Sequence, residues 1–197
     1  MRTLWAILFG GLALVGAAEA RLGETKEECE KRYGALFPMP EQGLFADPEK
    51  FYGKIVKKDF NGLAVTLIFG KADNVCVGVT YIKMYKTPDE IEFTPEMVED
   101  LLKRDYPDPN DLFVRASSEG LVDGKPAGKK WMASWKNERN NDTAVADSGS
   151  ELEGEYKWGL TCVSKNYRDE MLNWMENKDK ILEQREREKT QKAKEGL

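Results

Sequence analysis

The chain of 197 residues contains no histidine, and it has no glycine-rich phosphate loop and no clustered metal-ligand motif. Histidine is the side chain that titrates nearest neutral pH without help from its surroundings. Its absence excludes Ser-His-Asp and Cys-His nucleophile pairs, imidazole zinc sites and histidine general bases. The mechanisms that remain would use paired carboxylates, a Ser-Lys dyad or a bare thiolate, and none has a recognisable motif here. We therefore predict no catalytic, cofactor-binding or metal-binding residue, no cofactor, and a protein that is not an enzyme.

Cysteine is scarce as well. The three cysteines, Cys29, Cys76 and Cys162, lie far apart and form no C-x-x-C pair. In an oxidising compartment two of them could form one disulfide, which would leave one thiol over. Alternatively, all three are small buried apolar side chains, a common place for cysteine. The sequence leaves both possibilities open.

The chain also lacks a strong excess of charge of either sign. Its 30 basic and 35 acidic residues are interspersed and give a net charge of −5. A nucleic-acid-binding protein usually shows a basic face, so we predict no nucleic-acid partner. No internal sequence repeat is evident.

Only one stretch is strongly apolar, and it lies at the N-terminus. Arg2 precedes "LWAILFGGLALVG", and Ala18 to Ala20 ("AEA") form a small-x-small cleavage site, so residues 1–20 are predicted to be a signal peptide. The apolar run is short and rich in Gly and Ala for a membrane span, and no lipid-attachment cysteine follows it. We expect cleavage, release to the periplasm or the exterior, and no transmembrane span afterwards. Retention as an N-terminal anchor is the alternative.

The stretch "TKEECEKRYG" (residues 25–34) has both ends of a short helix specified. Thr25 and Glu28 form a capping box, and Gly34 suits a left-handed C-cap. Cys29 and Tyr33 are four residues apart and share one face. A helix this short is unstable alone in water, so we predict that this face docks on a sheet.

An antiparallel meander is predicted over about residues 54–85. Asn61-Gly62 separates two strand-like runs, 54–60 and 63–69, which is a strong hairpin signal. The run "VCVGVTYIKMY" adds a third strand rich in β-branched and aromatic residues. Two more strands are predicted from the alternation in "KKWMASWK" (129–136) and "EYKWGLTCVSK" (155–165).

A second helix is predicted at "FTPEMVEDLLKRDYP", with Thr94 as N-cap and Pro95 at the first helical position. Its expected buried stripe consists of Met97, Val98, Leu101 and Leu102. Residues 106–128 are rich in Pro, Gly, Asp and Ser and are predicted to be mostly loop. The polar stretch "NERNNDTAVADSGSELEG" (137–154) is predicted to be a long exposed connection.

Residues 166–197 are predicted to form a long C-terminal helix that ends in a charged, frayed tail. The tail could hold a membrane surface or a partner, but its mixed charges and missing apolar stripe favour a solvated segment. Helical spacing is given by Tyr167, Met171, Trp174, Met175, Ile181 and Leu182.

Two further features, one aromatic and one acidic, have the residue types of binding sites. The aromatic faces of Trp131 with Trp135, and of Tyr156 with Trp158, could form a platform for a glycan or peptide, but Lys and Glu on the opposite faces favour a core role. The segment Asp105 to Asp111 could bind calcium. It lacks the spacing and the glycine of a calcium loop, which favours an ordinary turn.

Several motifs together resemble a family of small exported bacterial proteins of unknown function. They are "RLGETKEECEKRYG" after the signal peptide, the apolar meander, "TPEMVEDLLK", "GKKW", and a final "NYRD" helix that runs into "KAKEGL". The resemblance implies no activity, so no functional residue is carried over. The order of helix, meander and helix is also distantly similar to outer-membrane assembly lipoproteins of the SmpA/OmlA type and to β-lactamase-inhibitor-like modules. Architecture alone does not imply function, and the missing lipid-attachment cysteine departs from the first of these.

The sequence therefore predicts a single α+β domain over residues 22–165, with helices packed on an antiparallel sheet and a long C-terminal helix. We expect an exported, non-catalytic binding or envelope-assembly module whose partner is another envelope or secreted protein. The alternative is a secreted hydrolase that uses paired Asp and Glu carboxylates.

Overall fold

Ten strands and three helices make up the fold in the computed structural model, which describes residues 22–40, 44–60, 63–87, 94–106, 112–122, 125–126, 130–152 and 155–194. The predicted signal peptide lies outside these residues. The elements are α1 (Lys26–Tyr33), β1 (Leu36–Pro38), β2 (Phe51–Phe60), β3 (Leu63–Gly70), β4 (Cys76–Tyr85), α2 (Pro95–Asp105), β5 (Phe113–Glu119), β6 (Leu121–Val122), β7 (Lys125–Pro126), β8 (Trp131–Asn137), β9 (Thr143–Leu152), β10 (Glu155–Val163) and α3 (Lys165–Lys194).

Eight of the strands form one antiparallel sheet in the order β1-β2-β3-β4-β10-β9-β8-β5. The two remaining strands, β6 and β7, pair only with each other. The predicted α+β class, with an antiparallel sheet and a long C-terminal helix, is confirmed.

The two halves of the chain have the same order of elements, although their sequences show no repeat. In each half a helix precedes an edge strand and a three-stranded meander: α1, β1 and β2–β4, then α2, β5 and β8–β10. The halves meet at the antiparallel pair of β4 and β10. They are therefore related by an approximate two-fold axis perpendicular to the sheet, which places α1 and α2 on the same face.

The predicted capping box of α1 is present. The Thr25 backbone N–H donates to the Glu28 carboxylate at 2.8 Å, and the Glu28 N–H donates to the Thr25 hydroxyl at 3.3 Å. Cys29 and Tyr33 are buried against the sheet, where the Tyr33 hydroxyl lies 3.3 Å from that of Tyr81. Docking of this face is confirmed. Gly34 has a positive φ of 79°, but its ψ of −155° is not that of a left-handed helix.

The predicted hairpin is also confirmed in its strands, since Val56 pairs with Val65 and Phe60 pairs with Leu63. The turn itself, Asn61-Gly62, lies outside the described residues. In α2 the Thr94 hydroxyl accepts from the Met97 N–H and Pro95 begins the helix, as predicted.

Helix α2 buries a narrower stripe than predicted. Val98 and Leu102 are fully buried and Leu101 is half-buried. Met97 is 48% exposed, so the prediction is wrong there. Val98 and Leu102 are four residues apart and point straight at the sheet, which turns Met97 about 100° away.

Two predicted loops contain strands instead. The predicted loop at 106–128 contains β5, and the predicted exposed connection at 137–154 contains β9, which forms ladders with both β8 and β10. The buried positions of β9 are occupied by small residues, Ala144, Ala146 and Ser148. They pair with β8 and β10, whose Trp131, Trp135 and Trp158 fill this part of the core. Small side chains fit there, and they leave almost no hydrophobic signal in the sequence.

Helix α3 packs on the sheet face opposite α1 and α2. The ring of Tyr167 meets that of Phe51 edge-on at a centroid distance of 5.0 Å, in a cluster that includes Ile68 and Ala46. Of the predicted apolar positions, Tyr167 and Trp174 are buried, whereas Met175 and Leu182 are 65% and 41% exposed.

A buried ion pair holds the distal half of α3. Asp47 is only 3% exposed, and its two carboxylate oxygens accept from Arg185 Nη1 at 3.1 Å and Nη2 at 2.5 Å. Arg185 Nε also lies 3.1 Å from Glu49 Oε2, and its guanidinium lies 5.8 Å from the Trp174 ring centroid. We name these four side chains the α3 anchor. Burial acts to raise the pKa of Asp47, but hydrogen bonds from Arg185 and the Glu49 amide outweigh it and lower the pKa.

Asp47→Asn should free the distal half of α3, because it removes the charge that Arg185 pairs with while keeping the side-chain shape. We expect a loss of about 2 kcal/mol in the stability of docking, the usual value of hydrogen bonds to a charged group. Faster amide hydrogen exchange in residues 175–194 measures it.

Glu183→Gln is the matched control, because its pair with Arg187 is exposed and such pairs contribute little. Since the folded pKa of Asp47 is lowered, its contribution should be complete above the ordinary Asp pKa of about 4 and vanish as the pH falls through the folded value. Equal exchange in the two variants at neutral pH would contradict the role of the anchor.

Candidate binding face

The second half of the sheet and the adjoining strand β4 expose side chains on the face away from α1 and α2. Met84 on β4, Val114 on β5, Met132 on β8 and Val145 on β9 are 37%, 48%, 46% and 38% exposed. We name this surface, formed by β4, β10, β9, β8 and β5, the open face. Five strands about 4.8 Å apart give it a width of about 20 Å.

A row of hydroxyl groups crosses the open face from strand to strand. The Ser117 and Ser134 hydroxyls are 2.7 Å apart, and those of Thr80 and Thr161 are 3.2 Å apart. Val145 lies between these two pairs in the register, opposite both Ser134 and Thr161. The side chains of this row are short, so a partner could approach the backbone of the sheet closely.

A buried glycine lies in the middle of the same face. Gly159 on β10 lies between Asp147 on β9 and Ile82 on β4 in the ladder. A side chain at this position would meet Asp147 Oδ1 at 3.4 Å. Glycine inside a strand often marks a bulge, and the ladder of β10 with β9 shifts register just before Gly159, between Lys157 and Trp158.

Two carboxylates flank a methionine at the rim of the open face. Glu119 pairs with Met132 on the neighbouring strand, and Met132 pairs with Asp147 on the next. Asp147 also forms an ion pair of 3.8 Å with Lys157. A solvent-open cavity of about 430 Å³ lies here, lined by Glu119, Gly120, Lys130, Trp131, Met132, Asp147 and Ser148.

The tryptophans considered as an aromatic platform belong to the hydrophobic core. Trp131, Trp135 and Trp158 are 3%, 0% and 6% exposed, and they belong to the cluster beneath α1 and α2. The Trp135 indole N–H donates to Glu99 Oε1 on α2 at 3.3 Å, and Trp158 donates to the Tyr85 hydroxyl at 3.0 Å. These rings face away from the open face.

The other weighed sites contribute no binding residue to the open face. Most of the acidic segment Asp105 to Asp111 lies outside the described residues, and within the described part no three His, Cys, Asp or Glu side chains gather as metal ligands. The charged end of α3 is helical to Lys194 and mostly exposed. None of the helices in the described ranges combines the length and apolar character needed to cross a membrane.

The sequence did not predict the open face. Its residues alternate along the strands with buried residues, and the stronger hydrophobic signal comes from the buried ones. Met132 and Ser134 lie on the side of β8 opposite Trp131 and Trp135, whereas the segments of β5 and β9 were predicted to be loops. The alternation of Val145 and Asp147 with small residues in "TAVADS" was the available signal. Small buried residues alternate as strictly as large ones.

Comparison of the chain with protein-family models, curated proteins and solved structures found no match. The resemblances stated from the sequence motifs therefore stay predictions, and the function has to be argued from the open face itself.

Proposed function

We propose that this protein is an exported, non-catalytic binding module that holds another envelope or secreted protein on its open face. The observation that carries the proposal is the exposure of Met84, Val114, Met132 and Val145 together on one side of a sheet whose other side is core. Apolar side chains grouped on one surface mark interaction sites in soluble proteins.

The shape of this surface favours a protein partner over a small molecule. Small ligands bind in concave, mostly apolar pockets that enclose them. The open face is broad, and it mixes the exposed apolar groups with hydroxyls and the ion pair of Asp147 and Lys157. Interfaces between proteins that also exist separately have this mixed composition.

Placing a charge in the middle of the open face should weaken partner binding. Val145→Lys puts an ammonium group between the two hydroxyl pairs, where a docked surface would have to desolvate it. We expect the affinity for the partner to fall by about tenfold or more, which corresponds to about 1.4 kcal/mol. The measurement is quantitative capture of the partner from the native envelope fraction by immobilised wild-type and variant protein.

Met175→Lys is the matched control, because Met175 is equally apolar and 65% exposed but lies on α3. It should capture the partner as well as the wild type does. Unfolding midpoints of both variants near that of the wild type establish that the fold is intact. If Val145→Lys retains full capture, the open face is not the binding surface.

A hydrolase is the second candidate, and the pair of Glu119 and Asp147 favours it. These carboxylates lie two strands apart in one row, about 10 Å between their Cα atoms by ladder spacing. Inverting glycosidases hold their two carboxyl groups about 6.5 to 9.5 Å apart. Turnover in a broad hydrolase screen that disappears in both Glu119→Gln and Asp147→Asn, but not in Glu183→Gln, would replace the binding proposal.

A further inference from the structure

The side chains of Cys29 and Cys76 belong to the same buried core cluster although 46 residues separate them in the chain. Cys29 lies in the first turn of α1 and Cys76 is the first residue of β4. The two side chains are 0% and 1% exposed; the Cys29 Sγ lies 4.0 Å from Glu24 Oε2, and the Cys76 Sγ donates to the Gly78 carbonyl at 3.4 Å. In the structure all three cysteines are unbridged.

Backbone hydrogen bonds also bring the segments of the two cysteines together. The Cys76 N–H donates to the Glu24 carbonyl at 2.7 Å, and the Gly23 N–H donates to the Cys76 carbonyl at 2.8 Å. Thr25 forms a β-bridge with Val75. The segment that leads into α1 therefore pairs with the start of β4, and the first turn of the helix is held over Cys76.

We propose that Cys29 and Cys76 form an intramolecular disulfide when the protein folds in the presence of a disulfide donor. A disulfide holds its sulfurs about 2 Å apart, and the pairing of the two segments keeps the first turn of α1 against the start of β4. The bond would join α1 covalently to β4, and it would close a loop that contains β1, β2 and β3.

The reaction balances as two successive thiol–disulfide exchanges. One cysteine thiolate attacks a sulfur of the donor disulfide, forming a mixed disulfide and releasing one donor thiolate, which takes up the proton that the cysteine lost. The second cysteine thiolate then attacks the protein sulfur of that mixed disulfide and releases the second donor thiolate, which takes up the second proton. Two protein thiols are oxidised, and one donor disulfide is reduced to two thiols.

The order of events follows from burial. The neighbouring Cys29 thiol and burial raise the pKa of Cys76 well above its ordinary value. Because the thiolate is the reacting form, the folded, reduced protein should react slowly. The bond should therefore form readily during folding and slowly afterwards.

The test refolds the denatured, reduced full chain with oxidised and reduced glutathione, and then counts thiols under denaturing, non-reducing conditions. We expect two of the three thiols to be lost, with peptide mapping that joins the peptide of Cys29 to that of Cys76. The same donor added to the folded, reduced protein should remove these thiols at least tenfold more slowly. The oxidised protein should have a higher urea midpoint than the reduced one.

Variants separate this pairing from the alternatives. Cys162→Ala should lose both remaining thiols on oxidative refolding, whereas Cys29→Ala and Cys76→Ala should each keep two. Because a variant can fail to fold, peptide mapping of the wild type decides by itself. Three titratable thiols after oxidative refolding, or a bond that includes Cys162, would overturn the proposal.

Discussion

Trp135→Ala is expected to lower the free energy of unfolding by about 3–5 kcal/mol, the usual cost of removing a buried aromatic side chain. Trp135 is completely buried, and its indole N–H donates to Glu99 on α2. Arg115 pairs with the same Glu99 oxygen and lies 5.7 Å from the indole centroid. The substitution therefore leaves a cavity and also removes a link between α2 and the sheet. A domain is stable by only about 5–15 kcal/mol, so the urea midpoint should fall steeply.

Met132→Ala is the control for this prediction. Met132 lies on the same strand, three residues away, but on the open face, where it is 46% exposed. Its truncation should cost less than about 1 kcal/mol, as is usual at exposed positions. If the two variants lost similar stability, the assignment of core and open faces on β8 would be incorrect.

Ala146→Leu is expected to lower the free energy of unfolding by about 3 kcal/mol, the upper end of the usual cost of overpacking a core. Ala146 is fully buried and lies between Ala133 on β8 and Leu160 on β10. Its two same-face neighbours along β9, Ala144 and Ser148, pair with tryptophans of the adjacent strands. Three added carbons would have to fit into this buried position, so the indoles or the strand would have to shift.

Val145→Leu is the matched control, since it enlarges the adjacent residue of the same strand on the opposite face. Val145 is 38% exposed, so one added methylene should change the stability by no more than about 0.5 kcal/mol. Urea unfolding of both variants at equal slope measures the difference. A tolerated leucine at 146 would mean that β9 is not packed beneath the tryptophans.

The sequence predicted those elements whose signals are local. The caps of α1 lie within ten residues, the hairpin is signalled by Asn61-Gly62, and β8 and β10 alternate large aromatics with polar residues. Each of these patterns directly indicates either a backbone conformation or a buried face. All four were confirmed as helix or strand in the described part of the chain.

The features that the sequence did not predict have no such local signal. The strand β9 buries alanine and serine, because tryptophans on the neighbouring strands fill this part of the core. The sequence of β9 itself gives no sign of those tryptophans. The edge strand β5, "FVRASSE", is mostly polar. The α3 anchor joins Asp47 to Arg185, which are 138 residues apart.

The open face could not be predicted for the same reason. Its hydroxyl row includes Ser117, Ser134, Thr80 and Thr161 from four strands, and only the strand order brings them together. The order requires β10 to return to the centre beside β4, a pairing that no turn signal specifies. The α+β architecture was predictable, but the surface that we propose for binding was not.

Site-specific photo-cross-linking from the open face tests the proposed binding function most directly. A photoreactive amino acid replaces Val145 in one version of the protein and Met175 on α3 in another, and both are expressed in the native host and irradiated. We expect one reproducible cross-linked protein from position 145 and none of that product from position 175. Absence of a product from position 145, or the same product from both positions, would contradict binding through the open face.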